Sequence, residues 1–126
     1  MVVGLGIDMI EVARLEHVLA RHPDRAASRL FTPAELADCE GRANASECLA
    51  GRFAAKEAFL KALGTGLSRG ISWQDIALSG GQGERPRLTA SGRAAEHLDA
   101  IGASGIHVSI THDGGMAAAV VVLEDS

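Results

Sequence analysis

Charged side chains on one apolar segment are the first sign of chemistry in this 126-residue sequence. A helical wheel of residues 49–64 places large apolar residues on one side and small residues on the other, so neither side resembles a solvated surface. Charges on a buried helix must be paired or bound to a ligand. The segment carries three cations and one carboxylate, namely Arg52, Lys56, Lys61 and Glu57. This positive surplus favours a polyanionic ligand, and phosphate groups would suit it.

Two carboxylates have the character of metal ligands. Asp8 ends an apolar run that is typical of a buried strand, and it either caps a turn or binds a metal ion. Glu57 either pairs with Lys61, four residues later on the helix, or joins Asp8 at a metal. Two protein carboxylates are enough for Mg²⁺ when substrate phosphates and waters complete its octahedral coordination. Zinc would require His or Cys ligands at defined spacing. Spacing alone does not bring Asp8 to Glu57.

Helix and strand signals alternate along the chain and indicate which elements position these residues. The periodicity predicts strands over residues 2–7, 72–78, 86–89, 107–111 and 116–123. It predicts helices from residue 10 to Pro23, from Thr32 onward, over residues 46–63, and from Ser91 to just before Gly102. Together they indicate one α+β domain over residues 1–126, with a mostly antiparallel sheet packed around a long central helix.

Local signals add detail to this prediction. Thr32, Pro33 and Glu35 have the types and spacing of a capping box at a helix start. Gly64 is expected to end the central helix as a glycine cap. The last strand is almost entirely apolar, so we expect burial on both faces, and residues 112–115 are typical of a hairpin turn before it. A row of small residues on the central helix predicts close approach of another backbone: Gly51, Ala54, Ala58 and Ala62.

Size and composition exclude several classes of protein. One domain leaves no room for separate cofactor and substrate domains, so any site must be compact or shared between chains. Only 3% of residues are aromatic and the formal net charge is −4, which argues against a nucleic-acid or anionic-membrane binder. No membrane-length apolar run and no basic signal-peptide region are present. We therefore expect a cytoplasmic protein in which Cys39 and Cys48 are reduced thiols.

Three segments together resemble the holo-acyl-carrier-protein synthases, the short single-domain branch of the 4′-phosphopantetheinyl transferases. They are GLGID at residues 4–8, RFAAKEAFLKALGTG at residues 52–66, and HVSITHD at residues 107–113. The central segment is long and specific, and the resemblance extends in order along the whole chain. Phe53 stands where larger relatives carry Trp, which favours the short branch.

The resemblance implies an enzyme of fatty acid biosynthesis. Such an enzyme transfers 4′-phosphopantetheine from coenzyme A to a serine of apo acyl carrier protein and releases 3′,5′-ADP. It also implies a homotrimer with each active site in the cleft between two neighbouring subunits.

Site roles follow from the resemblance, position by position. Asp8 and Glu57 would bind Mg²⁺ together with the diphosphate of coenzyme A, and Lys61 would stabilise charge on the leaving oxygen. Glu57 would ligate the metal, accept the serine proton directly, or orient a metal-bound water that accepts it. The positions implied to contact the coenzyme are Arg52 on its 3′-phosphate side, Lys61 at the phosphates, Gly64 and Thr65 along the nucleotide and pantetheine path, and His112.

A basic stripe near the N-terminus is the candidate partner surface. Helical spacing places Arg14, Val18, Arg21 and Arg25 opposite the apolar face of the same helix. The stripe is either a solvated basic face or a docking site for acyl carrier protein, which is acidic and is received by this helix in the family that the sequence resembles. Pro23 interrupts the helix before Arg25.

Two other classes of protein would use the same residues. A Mg²⁺-dependent hydrolase of nucleotide diphosphates would share Asp8, Glu57 and Lys61, but it would pass the group to water and would not need the basic stripe. A non-catalytic module would bind coenzyme A or the carrier protein without forming a product.

Overall fold

The fold places one long helix against two antiparallel sheets, and the computed structural model describes all of residues 1–126. The first sheet has the strand order β1-β5-β4, with β1 at Val2–Glu11, β4 at Gly105–Asp113 and β5 at Met116–Glu124. The second pairs β2 (Ile76–Gly81) with β3 (Glu84–Ala90). The helices are α1 (Val12–Arg21), α2 (Ala26–Leu30), α3 (Pro33–Glu40), α4 (Ala45–Leu63) and α5 (Gly92–Ala100), with a 3₁₀ turn at Trp73–Asp75. The predicted α+β class is confirmed.

Helix α4 is the centre of the core because its small residues let β1 lie directly on it. A Cβ atom added to Gly6 would overlap the carbonyl oxygen of Ala58 and lie 2.8 Å from the backbone nitrogen of Ala62. Gly4 is held in the same way against the carbonyl oxygen of Ala62. The close backbone approach predicted from the row of small residues is therefore confirmed for Ala58 and Ala62.

The predicted helix ends on α3 and α4 are also confirmed. The Thr32 hydroxyl accepts a hydrogen bond from the Glu35 backbone N–H, and the Glu35 carboxylate accepts one from the Thr32 N–H. Gly64 ends α4 in the left-handed conformation, with φ 80°. Its N–H donates to the carbonyl oxygens of Leu60 and Lys61.

Several predicted boundaries were wrong because strand pairing extends further than the local pattern shows. β1 continues past Asp8 to Glu11, which pairs with Met116, so α1 begins at Val12. Ser72 caps the 3₁₀ turn rather than opening a strand. In the β4–β5 hairpin, residues 112 and 113 belong to β4, and the turn consists of Gly114 and Gly115, both with positive φ.

The last strand is covered on one face only. In β5, Ala117, Ala119, Val121 and Leu123 are buried against the core. The alternate residues, including Val120 and Val122, are only half-buried, so the expectation of burial on both faces was wrong for the single chain. Beside them on β1, Leu5, Ile7 and Met9 are 64–67% exposed. We call these five residues the outer sheet face.

The two cysteines form a disulfide, and the expectation of reduced thiols was wrong. Cys39 is a buried residue near the C-terminal end of α3, and Cys48 lies in the first turn of α4. Their Cα atoms are 5.6 Å apart. A spacing of nine residues matches no familiar cysteine motif, but a turn between two packed helices brings both ends of the interval together.

None of the helices combines the length and the apolar content needed to cross a lipid bilayer.

We predict that Gly6→Ala destabilises the protein by about 3 kcal/mol or more, because the added methyl group has only backbone atoms to displace. Chemical denaturation measures this free energy of unfolding. Gly41→Ala is the matched control, since Gly41 has an ordinary φ of −76° and its nearest neighbour would be 3.8 Å away. The control is expected to change stability by less than about 1 kcal/mol. Equal effects in the two variants would contradict the close approach.

Candidate active site

Asp8, Glu57 and Lys61 meet where β1 crosses the C-terminal half of α4. The Lys61 ammonium donates to the Asp8 carboxylate at 3.0 Å and to the Ile7 carbonyl oxygen at 3.0 Å. These bonds tie the helix to the strand at the point where the apolar part of β1 gives way to a charged residue. We call Asp8, Glu57 and Lys61 the carboxylate half-site.

Glu57 is the member of this half-site that has no ion-pair partner. The alternative of a helix ion pair between Glu57 and Lys61 is wrong, because Lys61 pairs with Asp8 instead. Burial raises the pKa of Glu57, and the neighbouring Asp8 charge raises it further, while Lys61 lowers it. A half-buried carboxylate with a raised pKa is suited to proton transfer or to binding a cation.

The donor set of the half-site fits a hard divalent cation that also binds substrate oxygens. Asp8 and Glu57 are close enough for their charges to repel each other, and a cation between them would relieve that repulsion. No cluster of three or more potential metal ligands occurs in the chain. A site of two carboxylates suits Mg²⁺ completed by phosphate oxygens and water, and it does not suit a structural zinc ion.

Open space borders the residues that follow α4. A side chain at Gly64 or Gly66 would meet no atom within 4 Å, and both have positive φ. The Thr65 hydroxyl donates to the Gly66 carbonyl oxygen at 2.8 Å. The backbone after the helix thus lies beside the carboxylate half-site and leaves room for a ligand.

The positive surplus inferred for α4 is largely neutralised by carboxylates from other elements. Lys56 is fully buried and pairs with Glu35 at 2.6 Å. Burial lowers the pKa of Lys56 despite this partner. Arg52 pairs with Asp38, and Lys61 with Asp8. The surplus was therefore a wrong argument for phosphate binding, and any anion site must be judged from the groups that reach open space.

A cavity of about 470 Å³ lies at the other end of α4. Arg42, Arg52 and His112 contribute to its wall, together with Cys48 and the β2–β3 turn. We call it the basic cavity. Arg52 is only 4% exposed. Its guanidinium donates hydrogen bonds to the Asp38 carboxylate and to the carbonyl oxygens of Leu78 and Gly80.

His112 reaches the basic cavity from β4. Its Nε2 atom lies 2.9 Å from the Glu47 carbonyl oxygen. A Cβ at position 51 would lie 2.6 Å from Nε2, so Gly51 provides the space for the ring. The small residue at position 51 serves this contact, while Ala58 and Ala62 serve the contact with β1.

Arg42 is a cavity residue that the sequence pattern did not reveal. It lies in the connection between α3 and α4, donates to Asp38 and Gly80, and has a buried Nε with no hydrogen-bond partner. Asp38 is the single carboxylate that serves both Arg42 and Arg52. Only knowledge of the α3–α4 packing could have revealed this position of Arg42.

The predicted site residues form two groups rather than one. Arg52 and Lys61 are nine positions apart on α4, which corresponds to about 14 Å along the axis. One chain therefore carries the carboxylate half-site with Gly64 and Thr65 at one end of the helix, and the basic cavity with Arg52 and His112 at the other.

The basic stripe is divided between two helices. Arg14, Val18 and Arg21 are exposed on α1, whereas Arg25 precedes α2, because α1 ends at Arg21. A surface groove of about 780 Å³ adjoins the stripe, and Val18 and Arg25 both line it. The other lining residues include two cationic or titratable side chains that the sequence pattern missed, His22 and Arg29.

Comparison with known proteins identifies the class to which this fold and site belong. A family model described as the 4′-phosphopantetheinyl transferase superfamily matches residues 4–121. The chain belongs to this superfamily, and the resemblance drawn from the three sequence segments is confirmed.

Individual relatives are similar over their full length. A holo-[acyl-carrier-protein] synthase of Trichlorobacter lovleyi is 48% identical, with 98% of each chain covered. The crystal structure of the Helicobacter pylori synthase in complex with coenzyme A superposes with a TM-score of 0.82 at 35% identity, covering 95% of this chain and 99% of that one. The Neisseria meningitidis synthase gives 0.88 at 31% identity, with 99% and 100% covered.

Proposed function

We propose that this chain transfers 4′-phosphopantetheine from coenzyme A to a serine of apo acyl carrier protein, releasing 3′,5′-ADP. The observation that carries the proposal is the carboxylate half-site, in which an unpaired, half-buried Glu57 lies beside the Asp8–Lys61 pair. The names of the full-length relatives and the coenzyme A bound to one of them support it. A single transferase domain over residues 1–126 and a cytoplasmic location are part of the proposal.

The reaction forms one bond and breaks another at the β-phosphorus of coenzyme A. The serine oxygen bonds to that phosphorus, the bond to the bridging oxygen of the diphosphate breaks, and the serine proton passes to a base. Glu57 has no ion-pair partner, so it is the carboxylate of the half-site that can accept this proton, directly or through a water. Lys61 would stabilise negative charge on the departing oxygen.

Asp8 and Glu57 would hold Mg²⁺ together with oxygens of the diphosphate. Mg²⁺ bound there would neutralise diphosphate charge, which is a major part of catalysis in phosphoryl-type transfer. The protein contributes the fixed positions of the carboxylates, because Lys61 ties Asp8 to α4 and the contact of Gly6 with Ala58 sets the distance between strand and helix.

The separation of the carboxylate half-site from the basic cavity supports a homotrimer with sites shared between subunits. The outer sheet face is apolar, and β1 is an unpaired edge of its sheet. Register places Leu5 beside Val122 and Ile7 beside Val120, so these side chains form one continuous surface. Exposed apolar patches of this kind mark protein interfaces. A cleft between subunits would bring the carboxylate half-site of one chain to the basic cavity of its neighbour.

The basic stripe and its groove support docking of the acidic carrier protein. Arg14 and Arg21 offer exposed charge on α1, and the groove beside them combines the apolar Val18 and Leu30 with Arg25 and Arg29. A solvated basic face would need no groove with apolar walls. Carrier recognition is the property that separates a transferase from a diphosphate hydrolase.

We predict that Glu57→Gln lowers turnover by at least about 100-fold, because the amide neither accepts the proton nor contributes charge to a cation. The assay incubates enzyme, coenzyme A, Mg²⁺ and apo carrier protein, and mass spectrometry weighs the carrier. Glu96→Gln, at an exposed position on α5, is the control and is expected to keep full activity. Both variants should keep the wild-type melting temperature.

The same assay separates the proposal from its alternatives. A phosphopantetheine adduct on the carrier supports transfer. Release of 3′,5′-ADP without an adduct would indicate a hydrolase, and binding of coenzyme A without any product would indicate a binding module. Near-normal turnover by Glu57→Gln would remove Glu57 from the mechanism.

We predict that Leu5→Glu converts a trimer of 13.0 kDa chains into monomers and abolishes activity. Leu5 is 64% exposed in the single chain, so the charge costs little in an isolated subunit but disfavours an apolar interface. Sedimentation measures the mass. Ile101→Glu is the control, because Ile101 is an exposed apolar residue outside the outer sheet face.

Mixing two variants, each with one damaged half of the site, tests whether the site is shared. Glu57→Gln damages the carboxylate half-site and His112→Ala damages the basic cavity. If subunits assort at random after unfolding and refolding together, about one quarter of the interfaces combine two intact halves and regain activity. Failure of the mixture to recover activity, with each variant trimeric, would place the whole site in one chain.

We predict that Arg14→Glu combined with Arg21→Glu raises the KM for carrier protein about tenfold or more at low salt. The effect should shrink as salt screens the charges, and the KM for coenzyme A should not change. Arg85→Glu with Arg87→Glu is the control, since these exposed residues on β3 undergo the same charge change. An unchanged KM for the carrier in the α1 variant would place docking elsewhere.

A further inference from the structure

The Cys39–Cys48 disulfide closes a ring around the connection between α3 and α4, and this ring forms one wall of the basic cavity. The ring contains Arg42, Asn44 and Glu47, which line the cavity with Cys48 itself. The α3–α4 connection is therefore tied at both ends by a covalent bond rather than by packing alone.

The residues next to the two cysteines hold the two cavity side chains that the sequence resemblance implies contact the coenzyme. Asp38, which precedes Cys39, accepts a hydrogen bond from Arg52. Glu47, which precedes Cys48, offers its carbonyl oxygen to the His112 ring at 2.9 Å. Asp38 also binds Arg42, so one carboxylate beside the disulfide orients both arginines of the cavity. The disulfide thus lies between the anchors of Arg52 and His112.

Only one cysteine of the pair borders the basic cavity. Cys39 is completely buried, whereas Cys48 keeps 9% exposure and lines the basic cavity. A thiolate that enters the cavity would approach the disulfide from the Cys48 side, with Cys39 as the leaving group. The proposed function includes a cytoplasmic location, where disulfides are mostly transient and regulatory, so a disulfide in the wall of this cavity favours regulation over stability.

We propose that the Cys39–Cys48 disulfide is a redox-sensitive clamp on the basic cavity, and that its closed form binds the nucleotide part of coenzyme A more tightly than its open form. The inference rests on the proposed function, in which the basic cavity completes the neighbour's site, and on the sequence resemblance, which implies that Arg52 and His112 contact the coenzyme. The physical basis is preorganisation: the closed ring holds Asp38 and Glu47 in place, so Arg52 and His112 lose less freedom when an anion binds.

Opening the clamp requires a dithiol as reductant. Its thiolate attacks the Cys48 sulfur, the Cys39–Cys48 bond breaks, and Cys39 leaves as a thiolate that takes up a proton. The second thiol of the reductant then attacks the mixed disulfide, forms the oxidised cyclic disulfide and releases Cys48, which is also protonated. Two electrons and two protons pass from the dithiol to the protein.

The test measures the affinity of the full-length chain for 3′,5′-ADP by calorimetry, before and after reduction with dithiothreitol. This ligand carries no thiol, so it does not itself exchange with the disulfide. Reduction is expected to weaken binding by about threefold to tenfold, and reoxidation should restore the affinity. In turnover assays, the KM for coenzyme A should rise by a similar factor, while kcat and the KM for carrier protein change by less than about twofold.

The double variant Cys39→Ser/Cys48→Ser is the matched control. It should bind 3′,5′-ADP as the reduced protein does and should not respond to dithiothreitol. If it fails to fold, alkylation of the reduced wild-type protein with iodoacetamide gives a second form that cannot close. Equal affinity of the oxidised and reduced proteins, tighter binding by the reduced form, or two titratable thiols after oxidation would each overturn the clamp.

Variants of the cavity separate this inference from the proposed function. His112→Ala and Arg52→Lys, both kept oxidised, should weaken 3′,5′-ADP binding. If they do and reduction does not, the cavity assignment stands and the clamp is wrong. If neither variant changes the affinity, the cavity assignment itself is wrong. If the clamp acts through these side chains, reduction of His112→Ala should have a smaller effect than reduction of the wild type.

Discussion

The contact between β1 and α4 is the constraint on which the rest of the structure depends. Gly6 lies against Ala58 and Ala62 with no room for a side chain, so the strand and the helix have a fixed separation and register. Asp8 is two residues beyond Gly6, while Glu57 precedes Ala58 and Lys61 precedes Ala62. The same contact that removes backbone from water therefore sets the distance between the two carboxylates and the ammonium. The same contact therefore stabilises the fold and fixes the geometry of the carboxylate half-site.

The ion pairing of the charged residues on α4 follows from the position of this helix at the centre of the fold. A helix that packs against other elements on most sides buries cations that then need carboxylate partners. Arg52 and Lys56 pair with carboxylates on α3, and the more exposed Lys61 pairs with Asp8 on β1. Removing one partner of the fully buried pair would leave an uncompensated charge, which is far more costly than losing a surface ion pair. Glu57 is the exception on this helix, and a carboxylate left unpaired in a well-paired environment is the clearest sign of function in the structure.

Local features could be predicted from the sequence, whereas most contacts that define the site could not. Three features depend only on residues within one element, so the residue types predict them. They are the capping box of Thr32 and Glu35, the end of α4 at Gly64, and the row of small residues on α4. The partners of Lys61 and Arg52 come from β1 and α3, and sequence spacing contains no information about that packing. The disulfide and the cavity role of Arg42 were missed for the same reason, because both arise from a turn between two packed helices. His112 was assigned to a turn because its neighbours are turn formers, but pairing with β5 keeps it in a strand.

One oligomeric assembly would account for two features of the single chain. The outer sheet face exposes Leu5, Ile7 and Met9, although the other side of the same sheet is densely packed. The chemical groups are divided between the two ends of α4, and coenzyme A has its reactive diphosphate at a distance from its 3′-phosphate. In a symmetric trimer, each subunit would cover the outer sheet face of its neighbour. The same symmetry would bring the C-terminal half of one α4 helix and the N-terminal half of the next towards a common cleft. In such an arrangement the nucleotide would be held by one subunit and the reacting phosphate by another. A change confined to the α3–α4 connection would then alter affinity for the coenzyme without moving the carboxylate half-site, because the two would lie on different chains.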